Sequence, residues 1–212
     1  MPVFIVCRDR VTDLRKLVAW LELAGHHRIV LLDNDSEYPP MLDFLRECAR
    51  THTVMPLGEN MGSRAIWKAG LVPRDEFWAY SDPDVVPVGE CPLDALDHLR
   101  GLLERHQSMS KAALGIHLDD VPPDLRSLGW ERSPERQGTL LEPGVWSSIN
   151  DTTMAVYRPG VEFESQALRT GWPYACRHLP WYRENALTPE DRFYLARAKG
   201  GAFFSSWKSA VR

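Results

Sequence analysis

Two apolar patterns alternate through the opening stretch of the chain, and this alternation limits the possible folds more than any other feature. Residues 2–7 read Pro-Val-Phe-Ile-Val-Cys, a continuous apolar run with β-branched members, as expected of a strand buried on both faces of a parallel sheet. A helical pattern follows, with Leu14, Leu17, Val18, Leu21 and Leu23 on one side, Thr12 or Asp13 available as a cap, and Gly25 as a stop. The strand pattern returns at Arg28–Leu32 and ends in Asp33-Asn34-Asp35-Ser36, after which Pro39-Pro40 opens a helix carrying Met41, Leu42, Leu45 and Cys48. Strand, helix, strand, helix implies right-handed crossovers and a ligand site beyond the carboxyl ends of the strands.

The rhythm continues with an expected strand at Thr51–Met55, a helix at Asn60–Ala69 and a strand at Glu76–Tyr80. A helix follows at Leu93–His106, apolar at Leu93, Leu96, Leu99 and Leu103, and then a strand at Ala112–Ile116. Prolines and glycines interrupt 119–146, so this stretch is expected to be loop-dominated, the kind of insertion that forms lids or binding loops. A strand at Thr152–Tyr157, a helix at Pro189–Ala198 capped by Thr188 and a short strand at Ala202–Phe204 complete the reading. No internal repeat appears. We expect one α/β domain over 1–212 with a mostly parallel central sheet and helices on both faces, divided into a first half (1–117) and a loop-rich second lobe (118–212).

Composition removes several function classes. The 212 residues are enough for a substantial core, and a net charge of −4 without any block of Lys or Arg leaves no electrostatic footprint for nucleic acid or anionic lipid. The Val3–Val6 run is far too short for a membrane span or a signal-peptide core, so the expected location is cytoplasmic. Cys7, Cys48, Cys91 and Cys176 lie far apart with no CxxC pair, which argues for buried thiols over a zinc cluster. Trp130, Trp146, Trp172, Trp181 and Trp207 crowd the last part of the chain, where indoles serve core packing or stack on sugar faces.

Asp82-Pro83-Asp84 stands where a buried strand emerges. In an extended segment both carboxylates would face one ligand, and two hard oxygen donors suit Mg²⁺ or Mn²⁺ together with substrate phosphates. Arg8 and Arg10 follow the first strand and Asp33 the second, so all three belong to the same rim, where an arginine meets phosphate and a carboxylate meets ribose or base. Gly58-Glu59-Asn60-Met61-Gly62-Ser63-Arg64 precedes the third helix, which would turn its N-terminus toward an anion; neither GxGxxG nor a P-loop is present. Asp151 opens a later strand as a candidate general base or a strand cap, and His178 is a candidate imidazole ligand beside Trp181 and Tyr182.

Taken in order, these blocks resemble the GT-A glycosyltransferases, in particular the small bacterial and viral group related to family two. The resemblance rests on Arg8-Asp9-Arg10, on Leu32 to Tyr38, on Gly58 to Trp67, on Ser81 to Val85, on Asp151-Thr152-Thr153 and on Arg177 to Tyr182. It implies a GT-A domain whose 1–117 half binds the nucleotide sugar and whose 118–212 lobe faces the acceptor, and a hexosyltransferase that moves a sugar from a nucleoside diphosphate sugar, a UDP-sugar favoured, to a hydroxyl on a glycan, lipid-linked or small-molecule acceptor. Asp84 and His178 would hold Mn²⁺ or Mg²⁺, Asp82 would touch ribose or donor sugar, and Asp33 would read the nucleotide, with Arg8, Asn60 and Arg64 completing the donor site.

The implied reaction is an inverting displacement in which Arg8 or Arg64 offsets charge on the departing diphosphate. The sequence departs from the family pattern in two places: Asp9 sits between two arginines where an asparagine is usual, and the long loop has no clear Glu-Asp pair. Asp151 is the first choice for the base, with Glu131 and Asp119 as alternatives. Two other classes compete. A sugar nucleotidyltransferase shares the sheet and the paired carboxylates but feeds its first strand into a glycine-rich loop, whereas Cys7-Arg8-Asp9-Arg10-Val11 has no glycine. A non-catalytic nucleotide-sugar or carbohydrate-binding module would not need both aspartates and His178.

Overall fold

The structure, a computed structural model, describes residues 1–122, 128–182 and 187–197. Its first half follows the expected alternation: β1 (Val3–Cys7), α1 (Thr12–Leu23), β2 (Ile29–Asp33), α2 (Pro39–Cys48), β3 (Thr53–Pro56), α3 (Ala65–Lys68), β4 (Trp78–Ser81), β5 (Val85–Pro87) and α4 (Ala95–Arg105). Then come β6 (Lys111–Ala113), β7 (Gly115–Ile116), α5 (Leu128–Glu131), α6 (Pro134–Gln137), β8 (Thr139–Glu142), β9 (Val145–Ile149), β10 (Ala155–Tyr157), β11 (Gln166–Thr170), β12 (Ala175–His178), a 3-10 turn over Leu179–Tyr182, and α7 (Pro189–Arg197). The expected strand Ala202–Phe204, Trp207 and the last residue of the expected helix, Ala198, lie outside the described residues.

A nine-stranded sheet runs in the order β3-β2-β1-β4-β10-β6-β11-β9-β8, and a small sheet in the order β5-β12-β7. The expectation of a mostly parallel sheet is corrected. The β3-β2-β1-β4 part is parallel, whereas β10 runs antiparallel to both β4 and β6, and β9 is antiparallel to β11 and β8. The fold is therefore a mixed α/β sheet with helices.

Period-two alternation in β1 supplies two cores. Val3, Ile5 and Cys7 join α1, α2 and α4 on one face; Phe4 and Val6 join Trp78, Tyr80, Tyr157 and Ile66 on the other. On this second face Trp67 from α3 lies with its ring centroid 5.2–5.6 Å from those of Trp78, Tyr80, Tyr157 and Phe163, and Trp78 stacks on Tyr157 at 4.5 Å. All four cysteines are buried free thiols, as expected. Among the described residues no helix is long and apolar enough to cross a membrane.

Several elements differ from the sequence reading. Leu23 and Leu93 are exposed, because α1 ends at Leu23 and α4 begins two residues after Leu93. The helix expected over Asn60–Ala69 shrinks to one turn, since Gly62 takes a positive φ of 76° and the Asn60 side chain binds the Gly62 amide, holding the segment as a loop. Among the described residues of 119–146 loop does not dominate: α5, α6 and β8 lie there, with β8 and β9 joined through Gly144.

Candidate functional site

Register places the carboxyl ends of the parallel strands along one rim. Cys7 pairs with Asp33, Asp33 with Pro56, and Ile5 with Ser81, so the segments after β1, β2 and β4 emerge side by side. The turn after β1 is sharp because Asp9 adopts φ 57° and its buried carboxylate accepts from the amides of Glu37 (2.6 Å) and Tyr38 (2.9 Å). This turn sends Arg10 back toward the end of β4.

There Arg10 Nη2 lies 2.8 Å from Asp84 Oδ2, with both side chains buried. His178, at the end of β12, brings Nε2 to 3.7 Å from the same oxygen, and the Leu179 amide donates to the Asp84 carbonyl at 2.9 Å. Asp82 faces Thr152, whose hydroxyl donates to Asp82 Oδ2 at 2.6 Å. Asp82-Pro83-Asp84 thus forms a turn between β4 and β5, with the two carboxylates serving different partners, where an extended segment aimed at one ligand was expected. Asp151 is exposed, and its Oδ1 accepts from the Thr153 hydroxyl at 3.2 Å.

Electrostatics binds these residues into one cluster. Burial, with the charges of Asp84 and Asp151 nearby, pushes the Asp82 carboxyl well above the usual carboxylate range. Burial pushes Asp84 the same way, but Arg10 and His178 outweigh it and hold Asp84 low. Desolvation acts on Asp151 too, and Arg136 together with Thr153 more than offsets it, leaving Asp151 an ionised carboxylate. Burial lowers His178, with Asp84 pulling the other way.

The two expected metal ligands, Asp84 and His178, come together in the structure. The Asp84 carboxylate is the hard oxygen donor that Mn²⁺ or Mg²⁺ prefers, the His178 imidazole is a borderline donor that suits Mn²⁺ better than Mg²⁺, and the buried His178 Nδ1 has no protein partner. Among the described residues no third His, Cys, Asp or Glu joins them, and Arg10 already neutralises Asp84.

The other candidates are spread along the rim. Asp33 accepts from the Ser36 amide at 3.1 Å, and burial raises its carboxyl despite that bond. Arg8 donates to the Asp35 carbonyl at 3.3 Å and lies within 3.8 Å of the Asp9 and Asp35 carboxylates. Asn60 is held by buried Asn34, whose Nδ2 donates to Asn60 Oδ1 at 2.9 Å while its Oδ1 accepts from the Met61 amide at 2.7 Å. Arg64 stacks over Phe163 at 3.8 Å. With α3 only four residues long, Asn60 and Arg64 belong to a loop, and the expected helix N-terminus aimed at an anion is corrected. Of the alternative bases, Glu131 is buried against Arg136 at 2.8 Å, while Asp119 is exposed.

Sequence reasoning missed four contributors. Glu190 on α7 accepts from the amides of Val11 (2.9 Å) and Thr12 (3.1 Å), capping α1 where Thr12 or Asp13 was expected to do so. Tyr194 lies over Arg10 at 4.8 Å, and Arg197 reaches Asp9 at 2.7 Å, so α7 roofs the rim. Lys111, fully buried, donates to the carbonyls of Asn150 (2.6 Å), Asp151 (3.1 Å) and Glu164 (2.7 Å). The only signals for these in the sequence are a Thr188-x-x-Asp191 capping pattern, which the structure realises, and a lysine opening an apolar strand.

No protein-family model matches the chain, and no curated protein matches it. Among solved structures the chain is similar to HddC from Yersinia pseudotuberculosis, with 13% identity and a TM-score of 0.41 over 93% of this chain and 86% of that one.

Proposed function

We propose that the protein is a GT-A-type glycosyltransferase that moves a sugar from a nucleoside diphosphate sugar to a hydroxyl acceptor. What supports this reading is the gathering of Asp82, Asp84, Asp151, Arg10 and His178 into one charged cluster where β4, β12 and the approach to β10 meet at the carboxyl rim. Arg8 supplies positive charge toward a diphosphate, Asp33 offers an acceptor for nucleoside hydroxyls or base, and Asn60, whose Oδ1 is taken by Asn34 and the Gly62 amide, offers its side-chain N–H groups.

In the displacement, an acceptor oxygen forms a bond to the anomeric carbon as the bond from that carbon to the diphosphate oxygen breaks. Asp151, kept ionised by Arg136 and Thr153, takes the proton leaving the acceptor hydroxyl. Asp82 faces the donor from beside Thr152. Asp84 and His178 would hold Mn²⁺ or Mg²⁺, and such an ion supplies positive charge to the departing diphosphate.

The test is release of nucleoside diphosphate from a panel of UDP-, GDP- and dTDP-sugars in the presence of sugar acceptors. One donor is expected to be consumed in an acceptor-dependent way. No release across donors and acceptors, together with no donor binding, would contradict the proposal.

A further inference from the structure

Beyond the rim, in the lobe built by β7, β9 and β11, lies a cavity of about 470 Å³, within the range of about 300–1,000 Å³ usual for small-molecule pockets. Trp172 is 54% exposed at this cavity with its ring centroid 5.4 Å from that of His117, and Trp146 forms another aromatic wall. Gly171 is needed for that wall, because a Cβ there would come within 2.8 Å of the Trp146 ring. Arg132 and Asp119 also line the cavity.

The telling residue is Arg169. Its side chain is 93% buried, lines the cavity, and donates from Nη1 to the Arg136 carbonyl at 2.6 Å and to Ser148 Oγ at 3.4 Å. Its Nε has no partner, and among the described residues Arg169 has no carboxylate of its own, since nearby Glu131 is engaged by Arg136. A buried guanidinium without a counter-ion is costly unless an anion comes to it. Hydrogen bonds link the cavity wall to the segments that carry the candidate site: the His117 amide binds the Cys176 carbonyl two residues before His178, and Arg169 binds the carbonyl of Arg136, whose guanidinium donates to the Ile149 carbonyl two residues before Asp151.

We propose that this cavity binds a pyranose carrying one anionic group, a carboxylate or a phosphate, with the ring against Trp172 and Trp146 and the anion toward Arg169 and Arg132. Asp119 then accepts from ring hydroxyls. This names the acceptor class of the transfer and rests on that reading, whereas the binding itself does not need it.

The test is calorimetry on the full chain without donor, using methyl β-D-glucuronide, glucose 6-phosphate, methyl β-D-glucoside and inorganic phosphate. At least one anionic sugar should bind about tenfold more tightly than the neutral glucoside, and the tighter one names the group. Trp172→Ala should weaken that binding about tenfold with thermal unfolding unchanged. Arg169→Met should abolish the preference for the charged sugar. Because Arg169 also fastens Arg136 and Ser148, the site is located independently in the native protein by the Trp172 indole N–H resonance, assigned through Trp172→Phe. Equal affinity for glucoside and both anionic sugars, inorganic phosphate binding as tightly as glucose 6-phosphate with no glucuronide binding, or binding that leaves the Trp172 resonance unmoved would overturn the inference. If a nucleoside diphosphate sugar binds but no anionic sugar is preferred, only this inference fails; if the anionic sugar binds and no donor does, the transfer reading fails and the cavity stands.

Discussion

Arg10 and Asp84 form a buried ion pair 2.8 Å apart, in contact with the one imidazole, His178, that approaches the same carboxylate. A single carboxylate therefore serves a structural cation from the chain and, in the proposed function, would also meet an incoming one. Removing either partner takes from a buried charge the counter-charge 2.8 Å away. Arg10→Met is expected to lower stability by about 3–5 kcal/mol, whereas the double variant Arg10→Met with Asp84→Leu recovers much of that loss. Urea unfolding of the two proteins checks this; equal destabilisation by both would mean that the pair does not carry the effect.

Glu190 joins the two ends of the described chain by accepting two amides at the start of α1. Glu190→Ala is expected to cost about 1–2 kcal/mol, as for loss of a helix cap, and to speed amide exchange at Val11 and Thr12. Exchange unchanged at those two amides would show that the cap is not formed in solution.

Lys111 gives a pH dependence with a defined sign. Burial lowers its ammonium from the ordinary lysine value to about 8. Between that value and the unfolded lysine's, near 10.4, the unfolded chain binds the extra proton, so stability should rise as pH increases through this window. Lys111→Met should abolish the rise and also lower stability near neutral pH by about 3 kcal/mol, because three carbonyls lose their donor. Denaturation midpoints at several pH values for both proteins decide it, and a wild-type curve that is flat or falling across the window would contradict the assignment.

Asp151 is solvent-exposed with its own local partners, so Asp151→Asn should fold normally. Donor affinity should stay within about twofold, while transfer drops by about 10²–10⁴, the usual contribution of a general base. Near-normal transfer by this variant would remove Asp151 from the reaction and return attention to Asp119.

The first half of the fold was legible in the sequence because its signals are local. Buried parallel strands read as unbroken apolar runs, and Pro39-Pro40 and Gly25 mark helix boundaries within one turn of where they occur. In the second half the strand signals at Ala112–Ile116 and Thr152–Tyr157 and the helix from Pro189 were legible too, whereas β11 (Gln-Ala-Leu-Arg-Thr) and β12 (Ala-Cys-Arg-His) were not, since they mix polar and apolar residues and owe their existence to partners far away in the chain. The same holds for the site. Asp82, Asp84, Asp151 and His178 stood out by residue type and position, but the partner of Asp84 is Arg10, reached through the left-handed turn at Asp9, and no sequence pattern encodes that reach. Arg169 and Lys111 escaped notice for a related reason: in a strand sequence a buried cation looks like an exposed one.

The central claim is most directly tested by calorimetric titration of UDP-, GDP- and dTDP-sugars with and without Mn²⁺, comparing the native protein with His178→Ala and Asp84→Asn. His178→Ala carries the comparison if Asp84→Asn, which takes away the carboxylate paired with Arg10, fails to fold. The account predicts that one nucleotide sugar binds in a Mn²⁺-dependent manner and that affinity falls about tenfold or more in His178→Ala. Absence of metal-dependent binding across the whole panel in the folded native protein would contradict it.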